Sequence, residues 1–290
     1  MGGSAGGVML KGDHDSLING SATNASALIG GGGTSVVSGT GDTVVNYGTI
    51  AGLALTSASD VLEVEAGCAF EGPVSDAGTL SLVNGTGTLS GLSGGSVTVS
   101  GSMAAATFSG FATLSIAKAA RFTVSGAATI AAGQTLSVGG ALTVTGSLVV
   151  AGAAKGGGVI DLAGGATATF DGAAPASLEV SFEGHGARLN LQDPAAFAAT
   201  IGGFSRRGKI DLIGVAATAA ALGAGDKLTI SDNGTTLAVL QLAGDFGGDT
   251  FAASPDGSGG AFITVSRAGG GAPPAQPAPH ALIAAATALG

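Results

Sequence analysis

The stretch TLSLVNGTGTLSG (79–91), followed shortly by SVTVSG (96–101), decides how the rest of the chain is read. Leu80-Ser81-Leu82 and Val97-Thr98-Val99 place every second side chain on one face, the pattern of a strand with one side buried. Glycines stand between these runs, where a chain turns. Working outward, the same pattern recurs in TVVNYGTI (43–50), DVLEVEAG (60–67), TLSIAKAARFTVSG (113–126), ALTVTGSLVVAG (141–152), VIDLAGG (159–165) and SLEVSFEG (177–184).

The runs are spaced regularly. Val44, Leu62, Leu80, Val97 and Leu114 are the first inward apolar positions of successive runs, and their numbers step by 18, 18, 17 and 17. Leu142, Ile160 and Leu178 are again 18 apart, after a gap of 28 that implies a reset through TIAAGQTLSVGG (129–140). A unit of that length is too short for a propeller blade and has no helical half. It predicts an all-β solenoid with coils of about 17–18 residues, each turn stacking on the last at ~4.8 Å. About a dozen such turns would make a rod of ~60 Å. A sandwich or barrel is the competing architecture, since it too has a strand about every 8–12 residues. Those folds spend aromatic residues on a wide core, whereas this chain has one Tyr, 11 Phe and no Trp.

Composition agrees. The chain has 290 residues, of which 55 are Gly, only 10% are charged and 45% are hydrophobic. That excludes a disordered polar chain. The glycines keep no three-residue period and there are only 8 prolines, so collagen is excluded too. Gly, Ser, Thr and Val are poor helix formers, which removes a helical bundle. Glycine suits the tight corners of stacked strands, where positive φ and close backbone approach are needed.

Net charge is −9, with −5 in residues 1–150 and −4 in residues 151–290. An acidic chain has little with which to neutralise phosphates, so nucleic acid is not expected as a partner. Neither is an anionic membrane surface, and no segment reads as a membrane span. The start, MGGSAGGVMLKGDHDS (1–16), lacks the basic beginning and apolar core of a secretory signal. A removed signal, an uncleaved export route and retention inside the cell all stay open. The single Cys68, in AGCAFEG (66–72), reads as a small buried hydrophobe.

By composition the chain divides into four. Residues 1–40 are a Gly/Ser/Ala-rich segment, a possible cap or assembly strand, with only Lys11, Asp13 and Asp15 charged. Residues 41–195 are the solenoid, and 196–267 are wider coils that close it. Asp232-Asn233-Gly234 signals a hairpin there, and Asp256-Gly257 a second turn. Residues 268–290 are a Gly/Pro/Ala linker and an apolar tail, HALIAAATALG (280–290).

GDTVVNYGTIAG (41–52) resembles the N-x-G-T-I-x-G coils in the passenger regions of bacterial autotransporter-type adhesins. FAATIGGFSRRGKIDLIGV (197–215), continued by KLTISDNGTTLAVLQLAGDF (227–246) and GGAFITVS (259–266), is similar to the terminal coils of large secreted repeat proteins of Gram-negative bacteria. The likeness covers most of residues 35–266. It implies a right-handed parallel β-helix on a cell surface, concerned with adhesion or matrix building. The outer-membrane barrel of such proteins does not occur within these 290 residues. A fragment, a secreted protein or another export system would each account for that.

Candidate sites are few. Ser38-Gly39-Thr40-Gly41-Asp42-Thr43-Val44 approaches one calcium-binding nonapeptide, but that chemistry needs tandem copies. Asp13-His14-Asp15 and the set Asp226, Asp232, Asp245 and Asp249 read better as solvated turn residues. Asp60, Glu63 and Glu65 could supply an acid and a base for polysaccharide cleavage, yet Tyr47 is the only Tyr, and residues 12–117 hold no Lys or Arg. His14, His185 and His280 are scattered and form no nucleophile arrangement. Arg206-Arg207-Gly208-Lys209 is the one basic knot, either paired with acidic neighbours or an anion contact. Thr98/Ser100, Thr123/Ser125, Thr143/Thr145 and Thr167/Thr169 could order water on a flat face, or simply occupy exposed strand positions.

The expectation is therefore a structural or adhesive β-solenoid, secreted or on a bacterial surface, with no catalytic, cofactor-binding or metal-binding residue assigned. Its partners would be itself, by strand addition into a fibre or surface layer, and matrix polysaccharide. A polysaccharide-active enzyme and a monomeric glycan-binding module are the alternatives.

Overall fold

A computed structural model describes residues 7–30, 34–37 and 39–267. The protein is an all-β solenoid of about nine turns, built mostly of parallel stacked strands, with no helix among the described residues. Among the described residues no helix is long and apolar enough to cross a membrane.

The alternation in the sequence builds the stack directly. Thr79-Leu80-Ser81, Thr113-Leu114-Ser115 and Thr135-Leu136-Ser137 lie one above another in register. Their leucines are at most 1% exposed, while the Thr and Ser hydroxyls face outward. Each Leu so buried contributes roughly 1.5–3 kcal/mol. Val44, Leu62 and Leu80 continue the same column toward the N-terminus, at the coil length that the sequence spacing predicts.

Beyond Leu80 the turns follow a different spacing. Leu80 stacks directly on Leu114, and Val97 is not a step of this column. Strand Ser96–Gly101 instead runs antiparallel between Thr79–Ser93 and Ala106–Ser109, inserted into the stack. Val97 keeps the apolar alternation and is fully buried, which is why its spacing mimics a turn. Residues 129–140 are not a reset: Leu136 sits on Leu114 and Leu142 on Phe122. Ile160 is followed by Val180 rather than Leu178. A third ladder, Ala128, Leu148, Ala168, Leu189 and Ile210, advances by a longer coil than the first turns use. About nine turns at ~4.8 Å make a stack of ~40 Å.

Many glycines are set by close backbone approach rather than by φ. A Cβ on Gly78 would stand 2.0 Å from the Asp60 carbonyl oxygen of the turn beneath. On Gly146 it would stand 2.1 Å from that of Gly126. Both glycines stand just before a strand, where adjacent turns touch.

The two ends differ. In the first turn, strands Met9–Leu10, Ser16–Asn19 and Leu28–Ile29 pair upward with Ser35–Val37, Thr43–Asn46 and Thr49–Ile50. Among the described residues no strand pairs with the other edges of Ser16–Asn19 and Leu28–Ile29. At the far end the pairing turns antiparallel. Thr235–Ala243 lies parallel on Thr200–Gly202 and antiparallel on Lys227–Asp232, joined through Asn233 (φ 47°) and Gly234 (φ 86°) as the Asp-Asn-Gly signal predicts. Asp249–Pro255 and Ala261–Arg267 form a hairpin that lies antiparallel on Lys209–Leu212. Phe182, Phe204, Phe251 and Phe246 touch in sequence beneath this end, with ring centroids 5.3–6.4 Å apart. The expectations placed on residues 268–290 lie outside the described residues.

Candidate functional site

The carboxylates singled out in the sequence are mostly absorbed by the backbone. Asp15, Asp42 and Asp60 each precede a strand, and they stack as a column at one corner. Asp42 Oδ1 accepts the Asp15 N–H at 2.7 Å. Asp60 Oδ1 accepts the Asp42 N–H at 3.1 Å, and its Oδ2 accepts the Ser57 N–H at 3.0 Å. Asp60 is fully buried, so it offers no oxygen to a substrate. Glu63, further along, points from the opposite face of the strand.

Glu65 takes a hydrogen bond from Asn84 Nδ2, while Asn84 Oδ1 accepts the Ala66 N–H at 2.8 Å. The Glu65 charge raises the Tyr47 phenol above its ordinary pKa, with burial, their hydrogen bond and Glu63 adding to it. Asp13 accepts from the Thr40 hydroxyl and N–H, which lower its pKa. Among the described residues no three of His, Cys, Asp and Glu converge to hold a metal ion. Asp226 and Asp232 stand at turns of the C-terminal meander, Asp245 and Asp249 beside the closing hairpin. The Thr/Ser pairs make no extended hydroxyl lattice, because Thr143 stacks on Asp161 and Thr167 on Arg188. His280 lies outside the described residues.

What the fold does assemble is a cationic corner. The turn at His185–Gly186 and the turn at Arg206–Arg207 sit directly one on the other, the Gly186 N–H donating to the Arg207 carbonyl at 2.7 Å. The strands that follow, Arg188–Leu191 and Lys209–Leu212, pair in parallel, so Arg188 and Lys209 are neighbours on the outer face. Four of the chain's 10 Lys and Arg residues are thereby gathered within two turns, with His185 beside them. Coil length explains the gathering. Arg188 to Lys209 is one full turn of the stack, and His185 to Arg206 is the same separation in sequence.

The closing hairpin completes the corner. Phe262 lies opposite Asp211 in the antiparallel pairing. Its ring carries the Arg188 guanidinium at 5.2 Å and the Lys209 ammonium at 4.7 Å from its centroid, two cation–π contacts that hold both stems in place. Gly208 leaves room for the Phe182 ring, which a Cβ there would meet at 2.7 Å. Arg188 approaches Asp211 at 3.7 Å; burial pushes the Asp211 carboxyl up against the opposing pull of Arg188. Arg206, Arg207 and Lys209 are exposed, and among the described residues none has a carboxylate within 4.0 Å. Arg207 instead reaches the His185 ring.

Of these residues the sequence singles out Arg206, Arg207, Lys209 and, separately, His185. Arg188 and Phe262 emerge only from the stack. Counting in the longer coil of these last turns, rather than the shorter coil of the first, would have joined Arg188 to Lys209.

Comparison of the chain with protein-family models, with curated proteins and with solved structures found no match.

Proposed function

We propose that this chain is an extracellular structural and adhesive β-solenoid of a bacterial surface or matrix, and that it associates with further copies through its N-terminal edge. The coil pattern at residues 41–52 supports the autotransporter-like setting. The observation that carries the association is the difference between the ends. In the first turn, Ser16–Asn19 and Leu28–Ile29 are paired on one side only among the described residues. The same turn holds Met9, Ile18 and Leu28 outward at 58%, 62% and 63% exposure, three of the five exposed large hydrophobics in the protein's described residues. A one-sided row of backbone donors and acceptors is a template for strand addition.

The opposite end finishes in antiparallel strands over a phenylalanine cluster, and the strands paired on one side there among the described residues, Ala219–Leu222 and Asp249–Pro255, are members of antiparallel pairs rather than of the parallel stack. Association through the N-terminal edge alone is isologous and closes as a two-fold pair. Any fibre or layer would then be built from such pairs by side contacts.

Sedimentation velocity over a wide concentration range tests this. The wild-type chain should show a dimer that Ile18→Lys converts to monomer, because a charge on that edge blocks pairing while leaving the core intact. A wild-type chain that stays monomeric at every concentration would sink the association, and turnover of a polysaccharide would replace the structural reading with an enzyme.

A further inference from the structure

The geometry points to the cationic corner at His185, Arg188, Arg206, Arg207 and Lys209 as a binding surface for acidic polysaccharide, a polyuronate in particular. This deepens the adhesive reading by naming the contact surface and its partner. It does not depend on self-association, since a monomer carries the same corner.

Charge placement is the first argument. The chain as a whole is −9, yet on one turn the exposed Arg206, Arg207 and Lys209 have no carboxylate within 4.0 Å among the described residues, and Arg188 stands beside them on the turn before. Holding like charges together costs free energy, and nothing in the fold requires it, because Arg206 and Arg207 occupy an exposed turn. Glu183 and Asp211 are nearby carboxylates, and Asp256 of the closing hairpin acts on Asp211. Asp211 pairs with Arg188, and among the described residues none of the three comes within 4.0 Å of Arg206 or Arg207.

Shape is the second. Three shallow hollows adjoin at Arg207: one bounded by Phe182, Glu183 and Ser205, one by His185 and Arg206, and one by Arg188 and Lys209. Open hollows that share Arg207 suit a chain lying across the corner better than one enclosed small anion. Guanidinium groups form paired hydrogen bonds to planar carboxylates, the group that a polyuronate repeats along its length. Arg206, Arg207 and Lys209 lie within one short stretch, and Arg188 starts one turn, ~4.8 Å, along the stack from Lys209, so several can engage one chain at once.

The chemistry also separates this ligand from other polyanions. Phe262 is already covered by Arg188 and Lys209, so no free ring at the corner offers a stacking face for a base. The most exposed apolar side chains, Met9, Ile18 and Leu28, lie at the far end of the rod, away from any lipid surface that the corner would meet.

The test is titration of the full chain with polygalacturonate, with dextran as the neutral control, at low and at physiological salt. The wild type should bind polygalacturonate and not dextran, losing about tenfold in affinity as salt rises, in keeping with two or three screened contacts. The double variant R206E/R207E should lose at least tenfold and keep the wild-type circular dichroism and unfolding midpoint. Lys209→Gln, a milder change, should lose about threefold. Ile18→Lys should bind as the wild type does, which separates this site from the assembly edge. Binding unaffected by R206E/R207E, binding to dextran as strong as to polygalacturonate, or tighter binding to single-stranded DNA or to vesicles of anionic lipid would each overturn the assignment.

Discussion

The Asp60 carboxylate holds the backbone N–H of Asp42, one turn below it, at 3.1 Å, and with its second oxygen the N–H of Ser57. A side chain thus supplies at this corner a hydrogen bond between turns of the kind that strands supply elsewhere, and with its other oxygen ties down its own loop. The Asp42 N–H loses its water on folding and depends on this one group, whereas the Ser57 N–H is only partly buried.

Removing it should be costly. Asp60→Ala leaves the buried Asp42 N–H without an acceptor, worth roughly 1–3 kcal/mol, and frees the partly buried Ser57 N–H to water. Denaturant unfolding of this variant should show a loss of about 2 kcal/mol, and Asp60→Asn, which keeps one acceptor, a smaller one. A loss under about 0.5 kcal/mol for Asp60→Ala would mean that water replaces the carboxylate.

Asp76 makes a pH-dependent prediction. It is fully buried, and burial pushes its carboxyl up to about 6, helped by the charge of Asp60 and opposed by the Gly78 N–H. Its Oδ2 has no hydrogen-bond partner among the described residues. The folded state therefore prefers the protonated acid. The stability that this preference gives is complete below the unfolded value of 3.8 and is lost as pH rises through about 6. Asp76→Asn should then be more stable than the wild type by about 3 kcal/mol at about pH 7.5. That gain should vanish below about pH 4. A gain that does not change with pH would show that charge is not its cause.

Two glycines separate close approach from backbone conformation. Gly78→Ala drives a Cβ to 2.0 Å from the Asp60 carbonyl, so the turns must part; the cost should exceed about 3 kcal/mol. Gly67 has φ 87° but nothing within 4 Å of its would-be Cβ. Gly67→Ala should cost only the left-handed strain of about 1–2 kcal/mol. Equal costs in thermal unfolding would contradict the packing account of the corners.

Cys68 serves as a reporter of opening. It is fully buried, and burial pushes its thiol up to about 12. A thiol reagent at about pH 8 should leave the native chain unlabelled for hours and label it within seconds in denaturant. Rapid labelling of native protein would reveal local opening of the early turns.

Much of this was legible in the residues. Alternation at Leu80-Ser81-Leu82 fixes which side chains face inward, and the hairpin at Asn233-Gly234 follows from local backbone preference alone. The candidate site was legible only in pieces. Arg206, Arg207 and Lys209 are contiguous or nearly so, but Arg188 and Phe262 reach them from distant parts of the sequence, the one a turn earlier and the other from the closing hairpin.

Strand class, the inward face of each strand and the places where the chain turns follow from neighbouring residues, because they depend on side chains close together along the chain. Which strand lies on which is a property of the stacked whole. The inter-turn bonds join backbone to backbone and do not distinguish Val97 from Leu114; both are apolar, inward and about one coil from their predecessor. Loop length and the antiparallel strand Ser96–Gly101 broke that tie. The same stacking, with the longer coils of the last turns, gathered the cations of an acidic chain into one corner.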